Sequence, residues 1–306
     1  MPQQIAYFHK KFMPLADANM NIMTNCIHYG TAIFEGIRGN WNPEKKQMYI
    51  FRIREHYERM MQGNKVLLMD IPYTVDELCR ITIDLARRNG FEEDVYIRPL
   101  TYKSSEQLGV RLHGLDADFL CFIIPWGRYL DCETAKVGVS SWRRSDDNAI
   151  PPQIKVAGIY VNNALAKTEA VKNGYDECIM LTPDGHVSEG SGENIFFVEK
   201  GKLITPALYS SILGGITRNT VIELAKNELG LDCEERVIDR GELYTCDECF
   251  LTGTAAHLTP ISEVDRRKVG DGGVGPITAK LQDAFNNAIR GNIPKYMKWC
   301  TPVYNR

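Results

Sequence analysis

Apolar residues recur at helical spacing after Thr74: Leu78, Ile81, Leu85 and Ala86 fall on one face. Thr74-Val75-Asp76-Glu77 reads as a capping box ahead of them, and Gly90 supplies the left-handed residue that closes such a helix. Alternating and β-branched stretches predict strands over 94–102 and 119–124, the second broken at Pro125. Positions 126–135 are polar and aperiodic, and read as a connection between domains.

Beyond that connection the pattern changes. Short strands are predicted over 137–142 and 153–156, then a helix over 161–173 stopped by Gly174. A run of hairpin signals follows: strands 178–182 and 187–189 flank Pro183-Asp184-Gly185, and strand 194–199 ends before Gly201. Gly214-Gly215-Ile216-Thr217 opens an amphipathic helix that runs to Leu229 and ends at Gly230. A strand over 248–252 runs into Gly253-Thr254-Ala255-Ala256, and a last helix fills 278–290. The order predicts an α+β protein with a smaller N-terminal α+β domain (1–125), a loop (126–135) and a larger C-terminal domain (136–306). Short strands with tight hairpins point to a barrel-like sheet in the larger domain. No strand–turn–helix carries GxGxxG, and the Gly270 to Gly275 run lacks Gly-Lys-Ser/Thr, so nucleotide-binding folds are not indicated.

Composition narrows the function. A chain of 306 residues is long for one core, which agrees with two domains. A net charge of -3 gives no basis for nucleic-acid or anionic-membrane binding. Apolar stretches such as 119–126 are too short to span a bilayer, and the first ten residues, with His9 and Lys10, show no secretory signal. Nine cysteines without repeated spacing suit reduced thiols in the cytoplasm. Cys246-Asp247-Glu248-Cys249 is the one CxxC; with no second pair and only His257 nearby, no metal is expected.

Four segments carry candidate chemistry. Lys155 lies in Gln153-Ile154-Lys155-Val156-Ala157-Gly158-Ile159-Tyr160, among apolar and small residues that would weaken its hold on a proton. Alone it reads as a lysine snorkelling from a strand edge, since most lysines are surface residues. Glu189-Gly190-Ser191-Gly192-Glu193-Asn194 lets backbone approach a planar ligand, with a carboxylate to meet a protonated ring nitrogen. Gly214 to Thr217 offers free amides, a hydroxyl and a helix dipole to a phosphate, and Gly253 to Ala256 offers a second set of amides. Singly, each is also an ordinary glycine-containing turn. Together they supply what pyridoxal phosphate requires: an amine, an acid at the ring nitrogen and a phosphate cup.

The combination resembles the class-IV aminotransferase signature. Glu189-x-Ser191-x-x-Asn194-Ile195-Phe196, Ile204-Thr205 and Leu213-x-Gly215-Ile216-x-Arg218 stand at the family's spacings. His28-Tyr29-Gly30, Phe34-Glu35-Gly36-Ile37-Arg38, and Arg54-Glu55-His56 with Arg59 are similar to its opening blocks. Tyr96-Ile97-Arg98-Pro99-Leu100, Pro125-Trp126-Gly127-Arg128-Tyr129-Leu130 and Ser140-Ser141-Trp142-Arg143 resemble the branched-chain amino acid branch. The resemblance implies fold type IV and transfer of the amino group of L-leucine, L-isoleucine or L-valine to 2-oxoglutarate through pyridoxal 5'-phosphate.

It also implies roles. Lys155 holds the cofactor and moves the proton, Glu189 pairs with the pyridine nitrogen, and Tyr160 meets the phenolic oxygen. Arg59, Ile216, Thr217 and Thr254 take the phosphate, with Gly192, Glu193, Asn194, Leu213, Gly215 and Gly253 around the cofactor. Tyr96 and the amides of Thr254 and Ala255 receive the substrate α-carboxylate. Tyr29, Phe34, Gly36, Arg38, Arg98, Trp126 and Tyr129 line the side-chain pocket. In the family a partner subunit's loop closes the site; Leu108-Gly109-Val110 matches it, implying a homodimer or dimer-based assembly. Read without the resemblance, the aromatics are core residues and the arginines solvated charges. Ile159 and His257 depart from the branched-chain pattern, where asparagine and glutamate are usual. D-amino-acid transaminases, (R)-amine transaminases, aminodeoxychorismate lyases and non-catalytic cofactor carriers are the alternatives.

Overall fold

The computed structural model describes residues 4–127 and 132–305. The chain divides into two units, the first comprising Met1–Gly127, Ile154–Gly158 and Asn287–Arg306. Its strands are β1 (Ile5–Phe8), β2 (Lys11–Pro14), β3 (Ala32–Phe34), β4 (Ile37–Asn42), β5 (Gln47–Phe51), β6 (Val95–Lys103) and β7 (Ala117–Pro125). They form an antiparallel sheet in the order β5-β4-β6-β7-β1-β2, with Cys300–Pro302 beyond β5 and β3 also on β6. The longest ladder joins β6 to β7, from Val95 opposite Pro125 to Lys103 opposite Ala117. Helices α1 (Asn25–Tyr29), α2 (Ile53–Val66) and α3 (Val75–Asn89) complete the unit. The capping box of α3 forms as read, with Thr74 and Glu77 exchanging bonds, and Gly90 ends the helix at φ 64°. Leu78, Leu85 and Ala86 are buried along it, with Thr82.

Two segments expected in the C-terminal domain lie in this first unit. The strand expected over 153–156 is reduced to a bridge between Val156 and Ile33, because its partner β3 is only three residues long. The C-terminal residues follow β5: Cys300 to Pro302 pair with Phe51 to Tyr49, and the Gln47 side chain accepts from the amides of Val303 and Tyr304. Chain order alone therefore does not divide this protein. Of the expected 126–135 connection, residues 128–131, including Tyr129, lie outside the described residues, and Ala135 already begins a strand.

The second unit contains β8 (Ala135–Arg143), α4 (Tyr160–Lys172), β9 (Glu177–Leu181), β10 (Val187–Gly190), β11 (Asn194–Glu199), β12 (Lys202–Pro206), α5 (Ile216–Leu229), β13 (Cys233–Arg236), β14 (Glu248–Gly253), β15 (His257–Val264), β16 (Arg267–Lys268) and most of α6 (Pro276–Ile289). Its sheet runs β10-β9-β8-β15-β14-β11-β12-β13, with β16 on β15. Pairs β8–β9, β8–β15 and β12–β13 are parallel, and the rest antiparallel. This is the curled half-barrel sheet expected of fold type IV. Strand β11 is buried on both faces: Ile195 and Phe197 enter the main core with Val137, Ile179 and Leu251, while Phe196 stacks on Phe250 at 5.2 Å. Double burial explains its continuous apolar run in place of alternation.

The CxxC segment serves the helix that follows. Glu248 accepts from the amides of Ile277 (3.0 Å) and Thr278 (2.8 Å) and from the Thr278 hydroxyl (2.7 Å). A carboxylate placed there satisfies the free N–H groups of α6. The helix consequently begins at Pro276, two residues before the expected start. A Cβ at Gly275 would stand 2.1 Å from the Glu248 carboxyl carbon, so only glycine admits the cap. Asp247 accepts from the Lys200 amide at 2.6 Å. Among the described residues there is no disulfide, no cluster of three metal-ligating side chains, and no helix long and apolar enough to cross a membrane.

Candidate active site

In the first unit Lys155 is fixed by its backbone. Its carbonyl accepts from the Phe34 amide at 3.1 Å, and Gly158 donates to the Gly30 carbonyl at 3.1 Å. Gly30 sits at φ 65°, and a Cβ there would come within 2.7 Å of the Gly158 Cα. Lys155 Nζ stands 5.1 Å from the centre of the Phe34 ring. On the same ring lies the Arg98 guanidinium, 4.5 Å from the centre, with Nη2 donating to the Tyr96 hydroxyl at 3.1 Å. Gly36 makes that hydroxyl's position available: a Cβ there would fall 2.0 Å from it. Trp126 packs on Tyr96, ring centres 5.4 Å apart. Lys155, Phe34, Gly36, Tyr96, Arg98 and Trp126 thus form one connected group.

Arg38 is engaged elsewhere. It donates to the Gly127 carbonyl (3.1 Å) and stands 3.7 Å from Asp94, bracing the backbone after Trp126. Arg59 is gripped by Glu35, which is fully buried and also accepts from His56. Tyr29 accepts at its hydroxyl from the Gly109 amide (3.0 Å), and Asn25 holds the Gln107 and Gly109 carbonyls. Val110, beyond this anchored loop, is 90% exposed.

The second unit gathers the acid and the amides at one end of its sheet. Glu189, the third residue of β10, is buried and accepts from Arg144 Nη2 (2.8 Å), Asn194 Nδ2 (2.9 Å) and the Leu213 amide (3.1 Å). All three are pure donors here, an arrangement that suits a carboxylate and not a carboxylic acid. Asn194 also donates to the Leu213 carbonyl at 2.8 Å, tying β11 to the turn before α5. Gly215 is the N-cap of α5 without a side-chain cap, and Ile216 and Thr217 are buried in its first turn. A Cβ at Gly215 would stand 2.0 Å from the Asn194 side-chain oxygen. Thr254 and Ala255 lie in the turn between β14 and β15, and the site of a Gly253 Cβ is 3.4 Å from the Gly192 carbonyl and the Glu193 side chain. Glu193 supports its own turn, accepting from the Gly192 amide at 3.0 Å. Tyr160 is the first residue of α4.

A family model for amino-transferase class IV matches residues 32–264. The chain belongs to the class-IV aminotransferase family. It is 52% identical over 98% of its length to a probable branched-chain-amino-acid aminotransferase of Aquifex aeolicus (strain VF5), covering 97% of that protein. Its fold matches the branched-chain aminotransferase of the archaeon Thermoproteus uzoniensis, solved with norvaline, at TM-score 0.95 and 42% identity over 99% of this chain and 100% of that one. It also matches the branched-chain amino acid aminotransferase of Thermobaculum terrenum, solved in its PLP-bound holo-form, at TM-score 0.94 and 40% identity over 99% of each chain.

Arg144, Asn163 and Glu35 were not singled out individually in the sequence. Arg144 holds Glu189 and is itself held by Asn163, whose amide oxygen accepts at 2.9 Å, and by the Ser211 carbonyl at 3.3 Å. Asn163 in turn donates to the Ser191 carbonyl. The third, Glu35, stands within Phe34-Glu35-Gly36-Ile37-Arg38, and nothing in that stretch shows that its partner is Arg59. Of the two departures, Ile159 is buried, and His257 sits at φ 56° with its ring edge-on to Phe285 at 5.6 Å.

Proposed function

We propose that this aminotransferase moves the amino group of L-leucine, L-isoleucine and L-valine to 2-oxoglutarate, using pyridoxal 5'-phosphate. The observation that carries the reading is the shared ring of Phe34, with the Lys155 amine 5.1 Å from its centre and the Arg98 guanidinium 4.5 Å from it. An aromatic wall beside the reactive amine suits an aliphatic side chain, and an arginine on that wall suits the second carboxylate of glutamate. The residues present fit the cofactor. Glu189 accepts from three donors, the N-terminus of α5 offers amides without a side-chain cap, and a Cβ at Gly215 would strike the Asn194 side chain.

Bound there, pyridoxal phosphate supplies a cationic ring into which the electrons left at the substrate Cα can spread. The protein does the rest. Lys155 Nζ would hold the cofactor and, once free, would act as the general base that takes the substrate Cα proton. Glu189, aimed by Arg144 and Asn194, would accept from the cofactor's ring N–H and favour its protonated form. Arg59, the Ile216 and Thr217 amides and the Thr217 and Thr254 hydroxyls take the phosphate, and Tyr160 meets the phenolic oxygen. Tyr96 and the Thr254 and Ala255 amides orient the α-carboxylate. Tyr29, Phe34 and Trp126 enclose the side chain, with Arg38 supporting the wall.

The assembly proposed is a homodimer in the cytoplasm. The exposed apolar side chains of Ile22, Ile27, Leu108 and Val110 support the first, as such residues favour burial against a partner. Scattered cysteines without a disulfide among the described residues support the second. A donor panel of L-leucine, L-glutamate, D-alanine and (R)-1-phenylethylamine, each with a matching 2-oxo acid, tests the reaction. L-Leucine and L-glutamate are expected to turn over; faster turnover of D-alanine or the amine would overturn the reading.

A further inference from the structure

We infer that Glu35 is a positioning residue, a buried carboxylate that orients the Arg59 guanidinium to grip a phosphate. This rests on the reading of Arg59 as a phosphate ligand. Glu35 joins β3 to β4, its amide tied to the Pro99 carbonyl at 3.0 Å, and its side chain is fully buried. Oε1 accepts from Arg59 Nε at 2.7 Å, and Oε2 accepts from Arg59 Nη2 at 2.6 Å. Oε2 also accepts from His56 Nδ1 at 2.7 Å, so His56 and Arg59, three residues apart on α2, converge on one carboxylate.

A bidentate fork fixes the plane of a guanidinium as well as its place. Glu35 takes the Nε–Nη2 edge of the guanidinium and so sets its orientation. Burial alone would push the Glu35 carboxyl up, but the Arg59 charge and the His56 bond outweigh it and hold it at about 2. The fork is therefore ionised throughout the neutral range. His56 is pulled the other way by burial, below its usual range, against the Glu35 carboxylate that favours its charged form; Arg59 and Lys155 are the neighbouring cations that also disfavour it. Neutral His56 with its proton on Nδ1 donates to Glu35 without cancelling the charge that Arg59 needs.

Positioning and simple charge make opposite demands. Removing a negative charge beside an anion site tightens anion binding if Glu35 acts only as a charge. If Glu35 acts by holding Arg59, the same removal weakens binding. The test uses the full-length chain freed of cofactor, titrated with inorganic phosphate, pyridoxal 5'-phosphate and pyridoxal, with tryptophan fluorescence as the readout. Glu35→Gln is expected to weaken both phosphate-bearing ligands about tenfold and to leave pyridoxal within about twofold. Arg59→Met is expected to do the same, and Glu35→Gln with Arg59→Met to be no weaker than Arg59→Met alone. Arg59→Met with unchanged phosphate affinity would remove the reading of Arg59 itself. Loss in Arg59→Met, with Glu35→Gln binding phosphate as well as or better than the original chain, would overturn the inference about Glu35. If the Glu35→Gln chain does not fold, Glu35→Asp draws the carboxylate back by about one C–C bond and keeps the charge. Unchanged phosphate affinity in that variant would overturn it equally.

Discussion

Arg144 Nη2 lies 2.8 Å from Glu189 Oε1, and both side chains are almost wholly buried. The pair links the end of β8 to β10 and leaves the second carboxylate oxygen to Asn194 and Leu213. Burying two charges is costly, and the cost is met only while each has its partner. Arg144→Met strands the Glu189 charge. It is expected to lower unfolding free energy by about 3–5 kcal/mol, read from denaturant midpoints. A variant as stable as the original chain would show that the pair does not carry this load.

Gly215 tests how tightly the turn before α5 is built. An alanine Cβ would stand 2.0 Å from the Asn194 oxygen and 3.2 Å from the Arg218 Cβ. Asn194 must then swing, losing its bonds to Glu189 and the Leu213 carbonyl. Gly215→Ala is expected to cost about 1–3 kcal/mol in stability, the usual penalty for forcing a packed site, and to weaken pyridoxal 5'-phosphate binding by more than tenfold. Equilibrium dialysis measures the second; unchanged affinity would mean that the turn has slack.

Glu193 sets a pH dependence. Burial, followed by the charge of Glu177, pushes its carboxyl up to about 8 from an ordinary 4.5. The folded chain therefore binds this proton more tightly than the unfolded chain. Its contribution to stability is fully present below about 4.5 and is lost as pH rises toward about 8. Glu193→Gln removes the titration. Between pH 5 and 8.5 the original chain should lose stability relative to the variant, as followed by urea unfolding at each pH. Parallel curves would show that Glu193 does not titrate there.

Local signals carried much of this structure. The capping box at Thr74 and Glu77, the glycine that ends α3, the hairpins and the N-terminus of α5 are each written within a few residues, and all form. What the sequence conceals is pairing at a distance. Glu35 and Arg59 are separated by the β4–β5 hairpin, and Arg144 and Glu189 by α4 and β9. The placement of Cys300–Pro302 beside β5, and of Ile154–Gly158 beside β3, is likewise decided by tertiary pairing. A polar 126–135 stretch marked a break in pattern, but a break in pattern does not say which side later segments join. Residue type and spacing singled out Arg59 and Glu189; the partners that hold them, Glu35 and Arg144, were not legible there.

The most direct measurement is made on Lys155→Ala. The purified variant, loaded with pyridoxal 5'-phosphate, is compared with the original chain in visible absorption and in steady turnover of L-leucine with 2-oxoglutarate. The expected result is loss of the absorption of lysine-bound cofactor, with turnover reduced by at least about 10²–10⁴-fold, the range lost with a general acid–base group. Retention of both the absorption and the turnover would contradict the assignment of Lys155 as cofactor lysine and proton carrier.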